Sequence, residues 1–361
     1  MNKNSSIAIV AGIAIAIAVI ASVLAFSGIS NDSTPMESPE QANLVPQAEK
    51  ITILTSFYPY HEFTKNVAGD FADVKQFMPN GVEAHDWEPR AQEIQSLKDA
   101  DVFVYNGLGM ESYIENIIES GEFDNVVFLK ASEGVELLKF EDDHDDHAKH
   151  DDHDDHDDHD EHAKEDDHDD HDEHEEGGHD GHDHDYEFDP HIWLDPILVK
   201  QQVNVIRDGL IQVDPDNKEN YEENARIYND KLDALDMKIG SALSSCQKDT
   251  IVPYHNAFTY LGERYDIHIM ALGGMAPDSE ASAAEIAEFV DFVKDNDIKV
   301  IFSEELVDPR LAEVIAEEAN AQVLLFSPLE ALNKDEAGTN VSYIDKMEDN
   351  LDSLKVALEC Q

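Results

Sequence analysis

Short apolar runs and helix-like segments alternate twice along this chain of 361 residues, and this alternation constrains the fold more than any other feature of the sequence. Strands that are separated by helices of ordinary length favour a parallel sheet with helices on both faces. The first series occupies residues 51–129 and the second occupies residues 250–326. We therefore predict an α/β fold with two doubly wound parallel-sheet lobes.

The bounds of these elements follow from the hydrophobic periodicity and from the turn residues between them. Strands are predicted at 51–56, 73–78, 102–105, 126–129, 250–253, 267–271, 300–303 and 322–326. Helices are predicted at 61–68, 91–98, 112–118, 257–264, 281–294, 310–318 and 342–358. Each lobe therefore receives four strands.

A long helical pattern lies between the two series. Asp195 and Pro196 form an N-cap followed by a proline at the first helical position, and they predict a helix that ends near Val213. Apolar residues then recur three or four positions apart over residues 216–245, which predicts one rigid helix of about eight turns. The apolar positions are Tyr221, Ala225, Tyr228, Leu232, Leu235 and Ile239.

This long helix divides the folded part of the chain. We assign residues 50–196 to an N-terminal lobe and residues 248–361 to a C-terminal lobe. Residues 197–247 are assigned to the helices that link them, including the long one. Ligands of open α/β sheets bind beyond the carboxyl ends of the strands, so the cleft between the lobes is the expected location of a site.

The N-terminal segment has a different composition. Residues 7–26 are a run of twenty apolar or small residues, long enough for a helix that spans a membrane. We interpret residues 1–26 as an uncleaved membrane anchor, and the alternative is a long signal peptide that is cut after Ala25 or Ser27. Residues 27–49 are rich in polar residues and proline and are interpreted as a flexible tether. The body of the protein is then extracytoplasmic, either tethered to the membrane or secreted.

The two cysteines fit an exported protein. In an oxidising compartment, Cys246 and Cys360 would form one disulfide that joins the C-terminal helix to the rest of its lobe. The alternative is a pair of unrelated thiols. The sequence alone leaves both interpretations open.

The charge of the chain excludes several classes of partner. There are 24 Lys and Arg residues against 81 Asp and Glu residues, for a formal net charge of −57. Nucleic acids and anionic membrane surfaces require a concentrated basic surface, which this chain lacks. Residues 141–185 contain 13 of the 18 histidines and a repeated His-Asp-Asp pattern. We interpret this segment as a disordered, His/Asp-rich loop that captures metal ions with low affinity.

Five histidines lie outside this loop, and three of them have contexts that suit a metal site. His85 lies in a turn-rich loop after a strand, and His255 ends a strand immediately before a helix. His191 lies between two prolines, just before a helix cap. These three histidines predict a metal site in the cleft, whereas His61 and His268 are interpreted as structural or exposed residues.

A fourth ligand is expected because three neutral imidazoles leave the charge of a divalent cation uncompensated. Glu330 follows the strand predicted at 322–326, so it lies at a carboxyl end. Glu304 follows the strand predicted at 300–303 and is an alternative. A zinc hydrolase is disfavoured, because the chain lacks a His-Glu-x-x-His helix and a Gly-x-Ser-x-Gly motif.

Six motifs, in the same order along the chain, carry a resemblance to a known family. They are TSFYP at 55–59, GVEAHDWEP at 81–89, DPHIWLDP at 189–196, HNAFTYL at 255–261, IFSEE at 301–305 and SPLE at 327–330. With these motifs the chain resembles the zinc-binding solute receptors of ABC importers, the ZnuA/AdcA type of the TroA-like cluster A-I family. The His/Asp-rich loop is also typical of the zinc-binding members.

The resemblance implies a function and a set of ligands. It implies a monomeric, non-enzymatic receptor that binds Zn²⁺ and delivers it to an ABC permease and its ATPase subunit. The implied ligands are His85, His191, His255 and Glu330, and a water molecule or Glu304 remains an alternative for the fourth position. Two other functions stay open: an extracellular metal buffer or adhesin without a transporter, and a manganese receptor. A manganese receptor of this family would be expected to carry a second carboxylate at the position of His255.

Overall fold

A computed structural model describes residues 50–139, 187–274 and 282–361 of the chain. The predicted anchor at 1–26, the tether at 27–49 and the His/Asp-rich loop at 141–185 lie outside the described residues. Within the described residues, no helix combines the length and the apolar character that crossing a membrane requires.

The N-terminal lobe begins with a four-stranded parallel sheet in the order β2-β1-β3-β4. Its strands are β1 (Ile51–Thr55), β2 (Ala72–Gln76), β3 (Val102–Tyr105) and β4 (Val127–Lys130). The helices between them are α1 (Tyr58–Ala68), α2 (Ala91–Ser96) and α3 (Ile114–Glu119). This lobe has the alternation and the parallel pairing that the sequence predicts.

Two helices follow and connect the lobes. The helix α4 (Pro196–Val213) begins after Asp195, whose side chain accepts a hydrogen bond from the backbone N–H of Ile197, as an N-cap should. The helix α5 (Lys218–Leu243) is 26 residues long, and the six apolar residues predicted to form its stripe are all buried. It packs against α1, α4 and the C-terminal helix.

The C-terminal lobe repeats the arrangement with shorter strands. Its strands are β5 (Thr250–Ile251), β6 (His268–Ile269), β7 (Val300–Ser303) and β8 (Gln322–Leu325). Its helices are α6 (Thr259–Tyr265), α7 (Ala283–Asp295), α8 (Arg310–Ala319) and α9 (Tyr343–Ala357). The strands pair in parallel as β5-β6 and β7-β8, and the Phe302 N–H donates to the Val252 carbonyl at 2.9 Å between the pairs. The resulting order, β6-β5-β7-β8, matches that of the first sheet.

The end of α5 is tied to the C-terminus of the chain. Cys246 and Cys360 form the predicted disulfide. Beside it, the backbone N–H groups of Gln247 and Lys248 both donate to the carbonyl of Leu358. One hydrophobic cluster runs from the first sheet through α5 into the second lobe, so the lobes share a core.

Candidate metal centre

Four loops at the carboxyl ends of strands or just before a helix carry the predicted site residues. His85 lies in the loop after β2, His255 follows β5, and Glu330 follows β8. His191 directly precedes a short 3₁₀ helix, Ile192–Leu194, ahead of α4. In each parallel sheet these ends lie on one edge, so residues distant in sequence are presented there.

The four side chains converge with the spacing of metal ligands. The Nε2 atom of His191 lies 3.3 Å from Nε2 of His85, and the latter lies 3.3 Å from Oε1 of Glu330. The same carboxylate oxygen is 3.5 Å from Nε2 of His191 and 3.6 Å from Nε2 of His255. A tetrahedron with bonds of about 2.0–2.1 Å, as for zinc, has edges of roughly 3.3–3.4 Å. All four ligand atoms lie within 4.8 Å of one another.

The burial of the four ligand residues indicates that their polar atoms require a partner. The four residues are at most 5% exposed. The Nε2 atom of His255 and the Oε1 atom of Glu330 are buried and have no hydrogen-bond partner among the described residues. Buried polar atoms without partners are costly, and a cation between them would satisfy both atoms. The donor set therefore fits a bound divalent metal ion.

Two carboxylates orient the imidazoles from behind. The Oδ1 atom of Asp189 lies 2.8 Å from Nδ1 of His191, and Oε1 of Glu304 lies 2.7 Å from Nδ1 of His255. Such contacts hold the ring nitrogen proton on Nδ1 and leave the Nε2 lone pair available for a metal. Glu304, the alternative fourth ligand in the sequence, is therefore behind the imidazole, and Glu330 is the carboxylate that faces the centre.

The charges in this buried centre shift the pKa values of its members. Burial lowers the pKa of His85 more than the nearby Glu330 raises it. Burial alone would lower the pKa of His255, but Glu304 and Glu330 outweigh it and raise the value to about 10. The pKa of His191 is likewise raised, because Asp189 and Glu330 together outweigh its burial. Without a metal, the His255 imidazole is therefore protonated at neutral pH.

The pKa values of two neighbouring carboxylates, Glu330 and Glu83, shift in opposite directions. Burial alone would raise the pKa of Glu330, but the three histidines around it hold that pKa well below the usual range. Burial and the charge of Glu330 raise the pKa of the adjacent Glu83 to about 9. Glu83 also accepts hydrogen bonds from the backbone N–H groups of His85 and Asp86, each at 3.1 Å, and so shapes the loop of the first histidine.

The two other histidines of the described residues, His61 and His268, lie outside the cluster. His268 is exposed on β6, and His61 lies half-buried on α1. Asp189 and Glu83 were not assigned roles from the sequence. A carboxylate two residues before a histidine is the common signal of both, and it could have marked them as residues that shape the ligand loops.

The fold and the cluster define a class of protein: a two-lobed α/β protein with a buried cluster of three histidines and one carboxylate that could hold a metal ion. Residues 53–357 match the family model described as the periplasmic zinc-uptake complex component A, ZnuA. The chain belongs to this family. The predicted family and the predicted α/β fold are confirmed, and the family consists of solute-binding receptors, not enzymes.

Known proteins resemble the chain over most of its length. The high-affinity zinc uptake system protein ZnuA of Bacillus subtilis is 36% identical over 313 residues, which cover 86% of this chain and 89% of that protein. The zinc-binding lipoprotein AdcA of Streptococcus pneumoniae is 36% identical over 310 residues, covering 85% of this chain but 55% of AdcA. The Zn(II)-bound ZnuA-like domain of S. pneumoniae AdcA superimposes with a TM-score of 0.67 at 33% identity, covering 86% of this chain and 100% of that domain.

Proposed function

We propose that this protein is the extracytoplasmic receptor that captures Zn²⁺ for an ABC importer, and that His85, His191, His255 and Glu330 are the zinc ligands. The observation that carries the proposal is the convergence of four buried ligand atoms within 4.8 Å of one another, two of them without a hydrogen-bond partner among the described residues. Zinc is bound here as the transported substrate. The receptor would hand it to a membrane permease that is driven by an ATPase subunit.

The ligand set favours zinc over manganese. Three imidazoles and one carboxylate suit a tetrahedral zinc ion, whereas hard oxygen ligands are preferred by Mn²⁺. His255 supplies nitrogen where a manganese receptor would be expected to have a second carboxylate. A metal buffer or an adhesin without a transporter is disfavoured, because the family is that of a zinc-uptake component.

Three segments outside the described residues extend the proposal. The apolar run at 7–26 would anchor the receptor at the outer face of the cell membrane, and residues 27–49 would form a flexible tether between the anchor and the folded part. The His/Asp-rich loop at 141–185 would collect metal ions near the cleft. The last histidine of the loop, His184, is seven residues from His191, which limits the distance between these two residues to roughly 25 Å.

A competition titration with a chromophoric chelator tests the proposal. Zn²⁺ and Mn²⁺ are titrated into the intact protein, into a version without residues 141–185, and into His255→Ala. We expect one tight site that prefers zinc, survives removal of the loop and disappears in His255→Ala. His268→Ala, which changes an exposed histidine outside the cluster, is the matched control. Tight binding that vanishes with the loop and ignores His255 would overturn the proposed site.

A further inference from the structure

Trp193 connects the loop of one predicted ligand to the loop of another. It lies two residues after His191, and its indole N–H donates to the carbonyl of Pro328 at 2.7 Å. Pro328 lies two residues before Glu330. The indole group belongs to the N-terminal lobe and the carbonyl belongs to the C-terminal lobe, so this hydrogen bond crosses the cleft beside the metal centre.

The side chain of Trp193 is held firmly on its own lobe. It is fully buried, and its ring packs edge-on against Phe57 with a centroid separation of 5.1 Å. The imidazole of His191 is also 5.1 Å from the indole, between ring centroids. From the other lobe, the hydroxyl of Tyr343 donates to the Trp193 carbonyl at 2.7 Å. Because its ring packs against Phe57 and His191 of its own lobe, the indole N–H has little freedom to follow a moving partner.

The loop that carries Glu330 has a backbone that requires such support. Leu329, between Pro328 and Glu330, has φ of +59°, a left-handed conformation that costs energy for a residue with a branched side chain. The side chain of Asn350 accepts from the Ser327 N–H at 2.8 Å and donates to the Ser327 carbonyl at 2.7 Å. The loop is thus held at Ser327 by its own lobe and at Pro328 by Trp193.

We infer that Trp193 is a positioning residue that holds Glu330 at ligand distance from His191 and thereby sets the zinc affinity and the rate of zinc release. This inference rests on the proposed function. Any opening of the cleft that separates His191 from Glu330 must break the bond between Trp193 and Pro328. Without that bond, the strained turn at Leu329 is free to relax and Glu330 is no longer pre-organised for the ion.

The test replaces Trp193 by phenylalanine, which keeps an aromatic ring and removes the N–H. Partners outside the ligand shell typically change metal affinity about 10–100-fold. We expect Trp193→Phe to bind zinc more weakly by that factor, mostly through faster transfer of zinc to a chelator in stopped-flow measurements. The matched control is Trp87→Phe. Trp87 also follows a predicted ligand, His85, by two residues, but it packs within its own lobe against Phe77 and Tyr113.

A double-mutant cycle shows whether Trp193 acts through Glu330. If it does, the double variant Trp193→Phe/Glu330→Gln binds zinc as weakly as Glu330→Gln alone. Affinity losses that multiply independently would overturn the inference, as would equal losses in Trp193→Phe and Trp87→Phe. Should Trp193→Phe fail to fold, Tyr343→Phe removes the hydrogen bond on the other side of Trp193, and an unchanged zinc release rate in that variant would overturn the inference.

Hydrogen exchange provides a readout that does not depend on zinc. The Leu329 N–H donates to the Ser327 hydroxyl at 3.1 Å. With exchange measured on protein stripped of metal, we expect Trp193→Phe to speed exchange in residues 327–332, whereas Trp87→Phe does not. Unchanged exchange in Trp193→Phe would refute the positioning role. Failure of the proposed function is recognised separately, by the absence of a zinc site that depends on His255 in the unmodified protein.

Discussion

Removing the buried ammonium group of Lys346 is a severe perturbation of the second lobe. Lys346 on α9 is 3% exposed, and its Nζ atom lies 2.5 Å from Oε1 of Glu305 and 2.8 Å from Oε1 of Glu336. Glu305 is adjacent to Glu304, which orients His255, and Glu336 belongs to the loop that follows Glu330. The ammonium group therefore connects two loops of the proposed metal centre.

The expected magnitude follows from the burial of this group. Removing one partner of a buried ion pair typically costs about 3–5 kcal/mol, because the remaining charges are left uncompensated. At roughly 2–4 °C per kcal/mol for a domain of this size, Lys346→Met should lower the melting temperature by about 6–20 °C. Replacing Glu305 and Glu336 by glutamine in the same variant should recover part of the loss, since the uncompensated charges are then gone.

Circular dichroism melts of the metal-free protein measure this effect. The matched control is Lys355→Met, on the same helix, because Lys355 pairs with Asp352 at 3.0 Å and both are exposed. An exposed pair contributes about 0–1 kcal/mol, so this control should melt close to the unmodified protein. Equal melting temperatures for the two lysine variants would refute the argument that the buried ammonium group holds the loops.

Three further predictions concern the centre and the disulfide. Glu304→Gln should weaken zinc binding about 10–100-fold in a competition titration, because the His255 imidazole loses its charged partner; an unchanged affinity would contradict the orienting role. Zinc binding at pH 7 should release protons, since the raised pKa of His255, about 10, keeps it protonated without metal. Calorimetry in buffers of different ionisation enthalpy detects this release, and a binding enthalpy that does not depend on the buffer would contradict it. For the same reason, the zinc affinity should rise with pH. Reducing the Cys246–Cys360 bond should destabilise the fold by up to about 4–5 kcal/mol in thermal melts, given the long loop it closes.

Much of the fold could be predicted because local signals agree with the packing. Asp195 caps α4 as the sequence predicts. The apolar stripe predicted on α5 is the face of that helix that is buried. Differences occur at the ends of elements, where prolines restrict the backbone. α1 begins at Tyr58, three residues before the prediction, because Pro59 is tolerated in a first helical turn. β5 ends at Ile251 because Pro253 has no N–H for a ladder.

The centre was predictable in part, and the reasons are physical. Histidines at strand ends could be found in the sequence because parallel strands bring those ends to one edge. The choice between Glu304 and Glu330 could not be made, because both follow strands and only the direction of each side chain separates them. The sequence does not identify Trp193 or Lys346. The contact of Trp193 joins segments more than a hundred residues apart, and that of Lys346 joins segments about forty residues apart.

Anomalous diffraction at the zinc absorption edge, on crystals of the zinc-loaded protein, tests the central claim most directly. The account predicts one strong peak bounded by the Nε2 atoms of the three histidines and by Oε1 of Glu330, each at about 2.0–2.2 Å. Glu304 should stay on the Nδ1 atom of His255, away from the ion. A peak elsewhere in the folded part, or an ion whose carboxylate ligand is Glu304, would contradict the account.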